Sequence, residues 1–400
     1  MAVLTRVTAA LVGLAVVAVS CAPDAGDDPG GGGAGDAGDD ARHPPIADWD
    51  AVVAEADGQT VDWWMFGGDE RHNRYVDEHV IPAAEELGVS VRRVPIGDTA
   101  DAVQRVLAER RAGEDEDGSV DLIWINGENF AAGKEAGLWL EGWAEDLPNA
   151  ELVEQETVAL DFGVPVEGQA SPWSRGAFVI GYDTERTAEP PRTFEEFLSY
   201  ARANPGRVTY PAPPDFTGAA FVRRAVMELG EDEAFALLAE LREHQWRSGD
   251  AFPGDEAELN TLFGDGEVDL TFSYDPNVVH TGVRTGRLPE SARPTTFATG
   301  TLANVSYVTI PENAGDLAGA LVVADLLLEP RLQAAKADPE ILGVPTVLDI
   351  ERLDAGERER LERATEGPYL LEDLGELLDE LDAERVDELN ERWRREVLGR

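Results

Sequence analysis

From Thr60 to Asn126 the chain reads strand, helix, strand, helix, strand, and this order constrains the fold more than any other feature. "TVDWWMF" (60–66) is a strand pattern, and "DERHNRYVDEHVIPAAEEL" behind it is an amphipathic helix with Asp69 placed as N-cap. "VSVRRVPI" (Val89 to Ile96) is a second strand and "TADAVQRVLAERRAG" a second helix, capped at Thr99. "VDLIWIN" (Val120 to Asn126) is the third strand. Units of this kind imply parallel strands with right-handed crossovers, and they gather ligands at the carboxyl ends of the strands.

The alternation resumes with "RGAFVIGYDT" (Arg175 to Thr184) and a helix capped around Thr193. "RVTYPAPPDFTGAAFVRRAVMEL" repeats strand, turn and helix, and "EVDLTFSYDPNVV" (Glu267 to Val279) runs from a strand towards another helix. "NVSYVTIP" (Asn304 to Pro311) is a further strand before a long helical stretch. The expected fold class is α/β with two lobes, each a mostly parallel sheet flanked by helices. Lobe I takes 46–170, lobe II 171–303, and 304–350 returns to lobe I. Over 351–400, Leu370, Leu371, Leu374, Leu377, Leu378, Leu381, Leu389, Trp393 and Val397 recur at helical spacing, which predicts a packed helical tail.

The first 20 residues read as a secretory signal, with Arg6 ahead of an apolar run too short to span a membrane. The single cysteine, Cys21, follows "AVS" and resembles a bacterial lipobox, the alternative being an ordinary signal-peptidase site. Residues 21–45 are mostly Gly, Asp and Pro, which bury too little to order, so they form a flexible acidic tether. With one cysteine, disulfides within the chain and thiolate metal sites are excluded. Against 80 acidic residues stand 33 basic ones, a formal charge of −47 that argues against nucleic acid and anionic lipid head groups as partners. So large an acidic excess suggests salt adaptation, since its self-repulsion is screened only at high ionic strength.

No metal-ligand spacing of histidines, G-x-S-x-G elbow, Walker loop or dinucleotide fingerprint occurs, so no catalytic group, metal or cofactor is assigned. His72 and His79, seven apart on one helix, read as solvated. What remains is six strand ends suited to a small organic molecule. "WWMFGGD" offers Trp63 or Trp64, with Phe66, beside Gly67, Gly68 and Asp69; Trp64 and Phe66 share a face in an unbroken strand, and a bulge swaps the assignment to Trp63. "WINGENF" offers Asn126, Gly127, Glu128 and Asn129, or merely a turn and cap. The others hold Ser171, Trp173 and Ser174; Asp215 and Thr217; Ser273, Tyr274 and Asp275; and Thr299, Thr301 and Asn304. Together they describe a pocket between lobes.

"GQTVDWWMFGGDERHNRYV", "DTADAVQRVLAERRAG", "GSVDLIWINGENF", "WAEDLPN", "GTLANVSYVTIPENAG" and "VVADLLLEPRLQAAKADP" are similar to the YnjB-type solute-binding proteins of bacterial ABC importers, near the thiamine-binding branch of the type II periplasmic-binding fold. The resemblance implies two lobes that close on a solute and deliver it to a membrane permease, without catalysis. The leader and Cys21 predict export, with a monomer held at the outer face of the membrane or in the periplasm through acylated Cys21. The aromatic "DWWMFGGD" departs from the family pattern and leaves the solute open. Tryptophan faces with Glu128, Asp215 and Asp275 suit a heteroaromatic cation or a polyamine. Ferric iron held by tyrosines such as Tyr210 and Tyr274, and sugars, are competitors. From another class, a secreted carboxylate-dependent hydrolase would use the same cleft.

Overall fold

A computed structural model describes residues 45–399 apart from 69, 365 and 372, so the leader, Cys21, nearly all of the tether and Asp69 lie outside the described residues. After α1 (Trp49–Ala56), β1 (Thr60–Phe66) leads into α2 (Glu70–Tyr75), a π-turn at Val76–Val80 and α3 (Ile81–Glu86). Then come β2 (Ser90–Ile96), α4 (Thr99–Ala112), β3 (Leu122–Ile125) and α5 (Glu128–Glu135), the alternation expected from the sequence. The cap of α4 is Asp98, not Thr99: its carboxylate accepts the Ala100 amide at 2.9 Å, and Thr99 is already helical.

The hairpin β4 (Leu160–Asp161) and β5 (Val164–Pro165) precedes β6 (Ala170–Ala177) and β7 (Val179–Asp183). Next are α6 (Phe194–Ala203), which carries the expected Thr193 capping box, α7 (Phe216–Leu229), α8 (Glu231–His244) and α9 (Glu256–Gly264). β8 (Leu270–Ser273), α10 (Val278–Arg284), β9 (Ala292–Thr295) and β10 (Thr301–Thr309) follow. The chain continues with α11 (Leu317–Leu326), α12 (Pro330–Ala337), α13 (Ala355–Ala364), β11 (Leu377–Leu378) and α14 (Ala383–Glu396).

In the larger sheet β1 pairs in parallel with β2 and β3, while β10 runs antiparallel to β3 and to β6. The smaller sheet corrects the expectation of parallel pairing in both lobes: β7 lies between β8 and β9 and is antiparallel to each. β8 and β9 share a direction, but β7, entered straight from β6 across Phe178, fills the place between them. Each sheet has its own core. One holds Trp63, Ile123, Phe130, Trp173 and Leu321, and the other is built on Phe178, Phe194, Phe197, Phe221 and Phe272.

The C-terminal region departs from the continuous helical tail. Gly367 and Pro368 stop α13's periodicity, Gly375 sits at φ +72°, and residues 373–382 carry no helix. Leu377 and Leu378 instead pair with Thr301 and Leu302 at the start of β10. Helix resumes only in α14, whose Leu389 and Trp393 are buried in the second core, and Trp393 Nε1 donates to Tyr210 Oη at 2.9 Å. Leu361 of α13 packs in the first core. The C-terminal segment therefore crosses from one core to the other alongside β10.

Candidate functional site

On the first lobe the pleat of β1 sorts its aromatics. Trp63 is fully buried, edge-on to Trp173 at 5.5 Å, whereas Trp64 is half-buried and Phe66 is 42% exposed. The Phe66 ring folds back over Gly68, where an added Cβ would meet ring carbon at 2.4 Å, so a side chain at 68 would push the ring aside. His72 is half-buried rather than solvated, its ring 5.0 Å from Trp124; His79 stacks on Tyr75 at 5.7 Å.

At the end of β3, Gly127 has φ +61° and ψ −136°, a conformation that side chains with a Cβ avoid. This turn aims the Gly127 amide at Asp161 Oδ2, 2.7 Å away, and brings Phe162 against Gly127. Asn126 and Asn129 are half-buried beside this turn, and Glu128 is exposed as the first residue of α5.

The β6–β10 ladder joins the lobes and carries a bulge. Ser174 pairs with Ser306 and Pro172 with Tyr307, so Trp173 is the extra residue. Its carbonyl accepts Gln333 Nε2 at 3.1 Å and the Lys336 ammonium, which satisfies a group the ladder leaves over. Trp173 and Ser174 are thus buried in packing, and Thr301 is likewise buried, its hydroxyl donating to the Leu374 carbonyl at 2.7 Å.

On the second lobe Asp215 caps α7, accepting the Gly218 amide at 2.9 Å. Thr217 Oγ1 and Ser273 Oγ both donate to Glu256, at 2.5 and 2.6 Å, and the Asp275 amide donates to Ser273 Oγ at 2.9 Å. Glu256, which the sequence hid inside an acidic run, thereby draws three of the expected residues together. Burial holds its carboxyl above the usual range, and Asp275 and Asp215 add to the effect. Beside this cluster Phe216 is 48% exposed, its ring 4.8 Å from that of Tyr274. Arg71, just after the Phe66 turn, reaches Asp275 at 3.6 Å and Thr281 at 3.1 Å, so the two rims meet.

A cavity of about 230 Å³ is walled by Asp161, Phe162, Arg175, Asn304, Leu377 and Glu380, among others. Of the residues singled out in the sequence only Asn304 lines it; Phe66, Glu128, Asp215 and Tyr274 lie outside its walls. Tyr274 nevertheless joins it to the carboxylate cluster, because its hydroxyl donates to Glu380. Burial pushes the Asp161 carboxyl up to about 7 despite the Gly127 amide. The Arg175 guanidinium is engaged by Glu154 at 3.0 Å and by Thr157. Tyr210 is fully buried and bonded to Trp393, so it is no ligand for an ion in this cleft. Among the described residues no cluster of three or more His, Cys, Asp or Glu forms that could hold a metal, and no helix is long and apolar enough to cross a membrane.

Residues 82–354 match the family of bacterial extracellular solute-binding proteins. Over 366 residues the chain is 39% identical to the protein YnjB of Escherichia coli (strain K12), covering 87% of this chain and 93% of that one. Among solved structures it resembles an ABC transporter protein from Clostridium perfringens ATCC 13124, with TM-score 0.61 and 17% identity over 85% of this chain and 99% of that one. It also resembles the spermidine/putrescine ABC transporter substrate-binding protein PotD of Streptococcus pneumoniae strain Canada MDR_19A, with TM-score 0.62 and 13% identity over 84% and 98%. At such identities these two likenesses speak for the fold alone.

Proposed function

Because the chain belongs to the bacterial extracellular solute-binding proteins of ABC transporters, which are not enzymes, we propose that its solute is a small organic cation held in the interlobe cleft. The observation that carries this is the gathering of Asp215, Glu256 and Asp275 beside the exposed Phe216 and Tyr274, continuous through Tyr274 with the wall containing Asp161. Surface acidity does not account for these groups, because they are partly or wholly withdrawn from water. Buried carboxylates with structural duty look different: Asp121 accepts the amides of Asp62, Gly315 and Asp316. Asp161 accepts the Gly127 amide and also lines the cavity, and Glu256 is held by Thr217 and Ser273 next to the Phe216–Tyr274 pair; carboxyl groups set near aromatic faces suit pairing with and stacking on a cation.

A thiamine-like heteroaromatic cation and a polyamine both fit this chemistry, with Phe66 and Trp64 as aromatic groups on the first lobe and Glu128 and Asn126 at its rim. Closure bends the chain where it leaves lobe I near Phe178, between β6 and β7, and where it returns along the first residues of β10. Acylated Cys21 and the tether would leave a monomeric body near its permease, and the acidic surface suits a saline exterior. A hydrolase in the same cleft has no counterpart in this family. Native mass spectrometry of gently purified protein tests the solute class. A retained positively charged small molecule supports it, and a retained sugar or organic acid contradicts it.

A further inference from the structure

The family match ends at residue 354, yet the cavity wall includes Leu377, Leu378, Asp379 and Glu380. These residues reach the cleft because the C-terminal segment is tied to β10. Besides the Leu377 and Leu378 pairing, the Thr301 amide donates to the Glu376 carbonyl at 2.7 Å, and the Thr301 hydroxyl holds Leu374. Glu380 then forms a two-pronged ion pair with Arg223 of α7, at 2.7 and 2.8 Å, with side-chain exposures of 1% and 2%. Tyr274 donates to the same carboxylate, and the Arg223 guanidinium lies 5.6 Å from the centre of the Phe216 ring.

Arg223 is thus a buried cation directly behind the cavity wall, in contact with the aromatic group proposed to meet the solute. Left alone it would repel a bound cation and attract an anion, across a medium where charges interact strongly. We propose that the C-terminal segment completes the solute site and sets its charge preference, Glu380 acting as the built-in counter-ion of Arg223. This rests on the cation-binding reading of the cleft. The selectivity of the pocket is therefore written partly in the C-terminal segment, beyond the residues 82–354 that match the family model.

The test compares the full chain with Glu380→Gln, Arg223→Gln and the double variant, using spermidine, thiamine and inorganic phosphate as calorimetric probes. Glu380→Gln keeps the side-chain shape and leaves the guanidinium uncompensated. It should weaken binding of whichever cation the parent takes by about tenfold or more and create phosphate binding that the parent lacks. Arg223→Gln should tighten cation binding by a similar factor, and the double variant should return to within about threefold of the parent. Hydrogen exchange read without any solute should rise in residues 373–382 of Glu380→Gln, with the second core still protected.

A folded Glu380→Gln with parental cation affinity and no phosphate binding overturns the inference. If Glu380→Gln does not fold, Arg223→Gln decides, and unchanged cation affinity there overturns it equally. A parent that binds neither cation refutes the cation reading separately. In that case phosphate binding that appears only in Glu380→Gln still upholds the counter-ion role, and its absence removes that role as well.

Discussion

The Asp161 carboxylate accepts the Gly127 amide at 2.7 Å at the edge of the interlobe cavity, and burial raises its carboxyl to about 7. In the folded protein it therefore keeps a proton that the unfolded chain releases near the ordinary carboxylate value. Folding stability from this group accordingly falls as pH rises from about 4 to about 7 and is level above that. A bound cation reverses the preference and favours the ionised form. Cation affinity should rise about tenfold between pH 6 and pH 8, and Asp161→Asn should flatten the profile, as calorimetry across that range would read.

Phe216 offers a second handle, because it is exposed and carries little of the core. Phe216→Ala should leave the melting temperature within a few degrees while weakening cation binding by roughly 0.5–2 kcal/mol. Equal affinity in Phe216→Leu, which keeps bulk without the ring, would remove the aromatic contribution.

Trp393 is fully buried against Tyr210 and Phe252 in the second core. Trp393→Ala should cost about 3–5 kcal/mol in denaturant unfolding, and that loss would show the tail to be part of the folded body. Unfolding at the parental denaturant midpoint would mean that α14 is dispensable.

Lys336 tests the bulge. Its ammonium is fully buried against the Trp173 carbonyl, and burial, with Arg175 nearby, holds its pKa well below the ordinary lysine value. The unfolded chain binds the proton more tightly, so stability from this residue rises with pH from the lowered value up to about 10.4. Lys336→Met should abolish that rise in a pH series of unfolding curves, while Gln333 still serves the Trp173 carbonyl.

Much of this fold was legible because burial imposes periodicity: β1, β2, β3 and the helices between them stand where alternation puts them, with α4 capped by Asp98 rather than Thr99. The smaller sheet was not, since strand direction depends on which neighbour arrives beside β7, and no side chain records that. The tail misled for a related reason. Leucines that contact a strap and a strand edge can mimic helical spacing, and only Gly367, Pro368 and Gly375 hinted otherwise. At the proposed site, Asp215, Thr217, Ser273 and Asp275 were legible as strand-end and cap chemistry. Glu256, Asp161 and Glu380 were not, because among 80 acidic residues a carboxylate that faces a cleft looks like any other.

The most direct test is calorimetric titration at pH 8 and fixed ionic strength with equal-sized solutes that differ in charge, using putrescine, a four-carbon diol and succinate. A cation-binding cleft predicts heat of binding for the diamine and none for the diol or the diacid. Succinate or the diol binding as tightly as putrescine would contradict it.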